Sequence, residues 1–226
     1  MGDKSVRLFW AATIPEETKR EIARLQTMLL PRFYQARFEG EPKLHITLNF
    51  IGDFRKDMLE DLISSFEVLK KEFPRGSPAT SVTGASYFPS ERSRRGIWLD
   101  CEDDGTLASV ASALGNLSGR FGKTPEARDF RAHITIARFR ESHDARADRT
   151  YPRRSAGADS AISDADLKKI VAETKLATER FSPRSVALFE STLKPSGSEY
   201  RILYEYFLEL AGEDSLRAGP VDRKGR

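Results

Sequence analysis

The sequence predicts an α+β fold of two lobes, each a mostly antiparallel sheet with flanking helices, facing one another across a central cleft. Three observations predict it. Strand-like runs and helical stripes alternate along most of the chain. The order strand, helix, strand is met twice, and each pass reaches a strand that carries His-Ile-Thr.

The first strand is predicted at 7–13, in the apolar run after Arg7. A helix follows, with Pro15 at its start, Glu16 and Glu17 beside its positive dipole end, and Ile22, Leu25 and Leu29 at helical spacing. A short strand at 36–38 and a longer one at 44–51 lead to Gly52-Asp53. A second helix over 56–73 carries Leu59, Leu62, Ile63, Phe66 and Leu69 on one stripe. Strands at 81–88 and 96–101 come next, joined by a loop bearing Arg92, Arg94 and Arg95. A third helix, 106–121, presents Leu107, Val110, Leu114 and Leu117, and the strand 132–139 follows it. A fourth helix is predicted from Ser163, an N-cap residue with Asp164 and Asp166 in the first turn, to about Arg180. The runs 185–193 and 200–210 flank Lys194-Pro195-Ser196-Gly197 and predict a hairpin.

The chain of 226 residues is 39% hydrophobic and 31% charged, with a net charge of +3. That is apolar enough for a core and too evenly charged for a polycation, so phosphate-bearing partners are permitted without being demanded. One cysteine, Cys101, excludes an intramolecular disulfide and a cysteine-built zinc cage, and predicts a reducing compartment, the cytoplasm. The apolar run near the N-terminus meets Pro15-Glu16-Glu17 with no small-residue cleavage site, so it predicts a strand and not a leader. No stretch is long enough for a membrane span. The expected organisation is a single bilobal domain over 1–211, with an exposed insertion at about 141–161 and a disordered tail at 212–226. The protein is expected to be a monomer.

The chemistry lies in L-H-I-T-L-N-F at 44–50 and A-H-I-T-I-A-R at 132–138. Side chains alternate along a strand, so His45, Thr47 and Asn49 are predicted on one face and Leu44, Ile46, Leu48 and Phe50 on the other. His133 and Thr135 likewise share a face opposite Ile134 and Ile136, and strict alternation points Arg138 away from His133. Two of the three histidines thus stand in the same tripeptide, 88 residues apart; the third, His143, falls in the polar insertion. A lone His-x-Thr is weak evidence, but a matched pair lets two imidazoles and two hydroxyls reach one phosphate. Histidine suits both removal and delivery of a proton near neutral pH, and no metal is required. The hydroxyls would hold the non-bridging oxygens.

These motifs resemble those of the two-histidine (2H) phosphoesterases, and the chain is similar to their RNA 2',3'-cyclic phosphodiesterase branch, also called 2'-5' RNA ligase. R-L-F-W-A-A-T-I-P-E-E, L-H-I-T-L-N-F-I-G, G-A-S-Y-F-P-S, R-G-I-W-L, F-R-A-H-I-T-I-A-R and V-A-L-F-E-S-T-L-K-P-S-G-S-E-Y carry the resemblance over most of 7–210. It implies metal-independent opening of a terminal 2',3'-cyclic phosphate to a 2'-phosphate, RNA as substrate and no cofactor. It implies His45 as proton donor, His133 as proton acceptor, and Thr47 and Thr135 as the phosphate-holding pair, with the two histidine roles open to exchange. Arg138 is retained from the family motif. Arg131 is a further basic candidate for substrate binding, beside Arg128 and Arg140, and Phe50, Trp10 and Phe9 are candidates to stack a base. Asn49 stands where the family has a basic residue, Ala132 where it has proline, and the insertion after Arg140 is long. Its Arg146, Arg149, Arg153 and Arg154 read as a solvated charged loop.

Two other readings stay open on the same residues: a 2'-5' oligonucleotide phosphodiesterase or ligase, and a nucleotide- or RNA-binding module without turnover. A metallo-hydrolase is disfavoured because no third ligand is spaced with the two histidines.

Overall fold

The computed structural model describes residues 5–33, 36–74, 76, 78–90, 94–124, 129–139, 162–195 and 197–208. The insertion, the C-terminal tail, His143, Arg128, Arg140 and the insertion arginines lie outside them.

Among the described residues nine strands form: β1 (Ser5–Thr13), β2 (Ala36–Phe38), β3 (His45–Arg55), β4 (Thr80–Pro89), β5 (Arg94–Asp103), β6 (His133–Phe139), β7 (Arg180–Phe181), β8 (Ser185–Lys194) and β9 (Gly197–Phe207). The helices are α1 (Glu16–Leu29), α2 (Leu59–Leu69), α3 (Thr106–Arg120) and α4 (Asp164–Ala172). The apolar stripes explain them: Ile22, Leu25, Leu29, Leu62, Phe66, Leu107 and Leu114 are fully buried. Ser163 caps α4 through a reciprocal box with Asp166. That helix is shorter than predicted, giving way to a 3-10 turn at Lys175–Ala177 and then to β7, which the sequence reading does not contain.

The α+β class is as predicted, but the strands form one sheet where two are predicted, in the order β7-β4-β5-β6-β3-β1-β8-β9, with β2 also on β6. Every pairing is antiparallel. The two predicted sheets survive as halves, β9-β8-β1-β3 and β6-β5-β4-β7, joined at one registered pair, Ile46 with Ile134.

The helices cross between halves. α2 and α3 back the first half, where Trp10 stacks on Phe66 and Ser118 bonds to Asn49. α1 and α4 back the second, where Gln26 bonds to the Ile136 carbonyl and Asp164 to the Tyr87 amide. Each helix following β1 or β5 therefore packs behind the opposite half, and one continuous apolar core underlies both.

Candidate active site

The pair Ile46–Ile134 organises the site. Both side chains are fully buried on the helix side, and the antiparallel register that sets them opposite each other brings His45 abreast of Thr135 and Thr47 abreast of His133. The four polar residues are thereby set side by side on the other face, related by the local two-fold axis of the antiparallel pair. The charge of His133 is felt at His45, which agrees with that closeness.

Each imidazole is oriented alike. His45 Nδ1 lies 2.6 Å from the carbonyl oxygen of Lys43, and His133 Nδ1 lies 2.8 Å from that of Arg131. Since a carbonyl only accepts, both rings carry hydrogen on Nδ1 and turn Nε2 toward the site. Thr47 Oγ1 is 3.2 Å from His45 Nε2. In the neutral ring that nitrogen accepts and the hydroxyl donates.

The surroundings differ. Phe9, Phe189 and Tyr200 lie with ring centroids 5.1, 5.7 and 5.5 Å from His45. They belong to a second apolar cluster on the site face with Ala11, Ala187 and Ile202. Burial among these groups pushes the His45 imidazole down to about 4; the Lys43 carbonyl opposes this, and the charges of His133 and Arg138 add to it. His133 instead lies face to face with Trp98, centroids 3.8 Å apart, and Trp98 stacks on Phe88 at 4.7 Å. Asp100, the strand partner of His133, accepts from Arg131 at 2.7 Å and from Ser86 at 3.0 Å.

Alternation fails at the same step of each motif, for a physical reason. Register shifts between Trp10 and Ala11 opposite β3, and between Ile97 and Trp98 opposite β6, mark a bulge in each motif strand. Leu48 and Asn49 consequently both turn inward, Leu48 into the core and Asn49 to accept from Ser118 at 2.6 Å. Ile136 and Ala137 both turn inward likewise. The fifth residue after each histidine is thereby returned to the site face: Phe50, paired with Phe9, and Arg138, paired with Gly96. The prediction that Asn49 shares the face of His45, with Phe50 and Arg138 facing away, is therefore corrected.

Phe50 is exposed, with the Arg7 guanidinium 5.0 Å from its ring centre. Arg138 is half-buried, 5.7 Å from the Phe88 ring and bonded to Glu39. Trp10 is corrected outright: it is fully buried against Phe66, where no base can reach it. Phe9 is also buried, and lines the pocket of His45 instead. Arg131 is exposed beside the site.

Lys43, Glu39, Trp98, Asp100, Phe189 and Tyr200 escaped the sequence reading as site residues. Trp98 and Phe189 stood within family-like segments, but only pairing across strands reveals what they touch. Among the described residues, no group of three or more His, Cys, Asp or Glu side chains is placed to hold a metal ion, and no helix is long and apolar enough to cross a membrane.

Residues 13–98 match the family described as LigT-like phosphoesterase. A protein of Thermotoga maritima named RNA 2',3'-cyclic phosphodiesterase is 28% identical over 88% of this chain and 94% of its own length. One of Methanothermobacter thermautotrophicus with the same name is 30% identical over 60% of this chain and 72% of its own. Among solved structures, TT0787 of Thermus thermophilus aligns with a TM-score of 0.65 at 23% identity, covering 89% of this chain and 97% of that one. LigT of E. coli complexed with 3'-AMP aligns with 0.60 at 20%, covering 90% and 98%. By the match to that family and to the 30%-identical relative, the chain belongs to the LigT-like family of the two-histidine phosphoesterases.

Proposed function

We propose that the protein hydrolyses RNA 2',3'-cyclic phosphate termini to 2'-phosphate ends, by acid-base catalysis between His45 and His133 without a metal. The observation that carries the reading is the Ile46–Ile134 register, which sets the two histidines and two threonines side by side on one face. In this reading the phosphate sits among them, with Thr47 and Thr135 donating to its non-bridging oxygens. His133 Nε2 takes a proton from the attacking water, and His45 Nε2 delivers one to the departing 3' oxygen.

Asymmetry between the half-sites supports this division. The water and the leaving oxygen lie on opposite sides of phosphorus, so the ribose and its base extend from the side of the proton donor. Phe50, an exposed ring on the His45 half, is a stacking surface on that side. Arg138 and Arg131, on the His133 half, meet phosphate charge. His45 is uncharged in the free protein at neutral pH; an anionic phosphodiester beside it favours the imidazolium, so the donor is charged as substrate enters. The named relatives and the nucleotide-bound neighbour agree with a nucleotide or RNA substrate.

The test is hydrolysis of a short RNA ending in a 2',3'-cyclic phosphate, with EDTA present. The wild type is expected to yield a 2'-phosphate end. His45→Ala and His133→Ala should each fall by about a hundredfold or more, and Thr47→Val by about tenfold. A wild type inactive with EDTA, or histidine variants that keep their activity, would return the site to a binding or structural role.

A further inference from the structure

A buried carboxylate outside the paired motifs calls for a reason. Glu39 follows β2 and is 6% exposed. Among the described residues its side-chain partners are two arginines: Arg138, whose Nε donates to Oε1 at 3.0 Å, and Arg37, whose Nη2 lies 3.8 Å from the same oxygen. A carboxylate withdrawn from water at this cost persists only where charge partners meet it. β2 places both there, since Arg37 pairs with Arg138 across β2 and β6.

The backbone of Glu39 is fixed to the bulge that turns Arg138 toward the site. Its amide donates to the Ile136 carbonyl at 2.9 Å. Gln26 Nε2 donates to the Glu39 carbonyl at 2.8 Å and to the Ile136 carbonyl at 3.0 Å. Bulge, acid and arginine are therefore one assembly. The bond engages Arg138 through Nε and leaves the two Nη groups, the forked end suited to a phosphate, beyond the carboxylate. Arg138 stands on the site face opposite Gly96, and its guanidinium charge bears on His45 in the opposite half.

We propose that Glu39 is a positioning residue: its buried carboxylate holds Arg138 by Nε so that the Nη donors meet a non-bridging oxygen of the phosphate between His45 and His133. This rests on the reading of the site as a cyclic phosphodiesterase. Glu39 touches no substrate and acts through Arg138 alone.

The experiment is a double-mutant cycle on the full chain, using the same cyclic-phosphate RNA and inorganic phosphate as a competing probe. Glu39→Gln keeps the shape and removes the charge; Glu39→Asp is the conservative variant. Expected are a loss in kcat/KM on the order of tenfold for Glu39→Gln, a similar weakening of phosphate inhibition, and partial recovery in Glu39→Asp. In an Arg138→Ala background, Glu39→Gln should change neither quantity by more than about twofold. The proposal is overturned if Glu39→Gln leaves kcat/KM and phosphate inhibition unchanged while Arg138→Ala lowers both. It is equally overturned if the two losses multiply, since Glu39 would then act independently of Arg138. His133→Ala, run in parallel, separates this from failure of the underlying reading: its activity must fall by about a hundredfold or more for the site to be catalytic at all.

Discussion

His45 and His133 share a tripeptide, a strand position and a tautomer, yet one ring is enclosed by Phe9, Phe189 and Tyr200 while the other lies on Trp98. Enclosure holds the His45 imidazole at about 4 in the folded protein, whereas in an unfolded chain it titrates at about 6.5. The unfolded state therefore binds the proton more readily, and the associated stability is fully present above the unfolded value and is withdrawn as pH falls toward 4. Urea midpoints at pH 7 and pH 4.5 should fall further apart in the wild type than in His45→Gln. In catalysis, the acid limb of kcat/KM should lie near pH 4, as an apparent value of the histidine pair, and should move upward in kcat, where bound phosphate favours the imidazolium. An NMR titration placing free His45 at an ordinary histidine value would contradict the effect assigned to the aromatic enclosure. The histidines and threonines were legible in the sequence because the motif is local and doubled. The enclosure was not, because Phe9, Phe189 and Tyr200 come from three strands that meet His45 only through pairing of β3 with β1, β1 with β8 and β8 with β9.

Element positions were legible for a related reason: buried stripes at helical spacing on α1, α2 and α3, and the Ser163–Asp166 box of α4, are signals within a few residues of one another. The faces of β3 and β6 beyond their first three residues were not, since a bulge is a relation between two strands and leaves little trace in either one. What supports the bulge in β6 is partly Gly96, opposite Arg138. A Cβ there would run into the Ala137 carbonyl and the Phe88 ring, and backbone cannot yield as the tip of a flexible side chain can. Gly96→Ala should cost about 3 kcal/mol or more in denaturant unfolding. It should also lower the turnover of whatever protein remains folded, because Phe88 supports Trp98 and Trp98 lies against His133. A variant as stable and active as the wild type would show that the strand tolerates a side chain the close approach forbids.

Crossing of α1 and α3 to the half opposite their preceding strands leaves neither half with a core of its own. The proposed single bilobal domain has a direct test in the two tryptophans, Trp10 in one half and Trp98 in the other. Trp10→Phe and Trp98→Phe each leave one reporter, and denaturant curves followed through each should coincide within error. Separated midpoints would mean that the halves unfold independently. Two lobes were legible from the repeated order of elements, but their fusion into one sheet was not, because it depends on a single pair of isoleucines. A second tie lies at the rim. At Gly197, which begins β9 at a φ of +114°, the hairpin of the first half comes down directly on the guanidinium of Arg37, which belongs to the second. A side chain there would be strained and would displace that guanidinium. The two halves thus meet at two places of unequal stiffness: a backbone pairing at Ile46 and Ile134, and a glycine turn resting on the tip of a flexible arginine. The join behaves as a hinge with one fixed pin and one sprung stop.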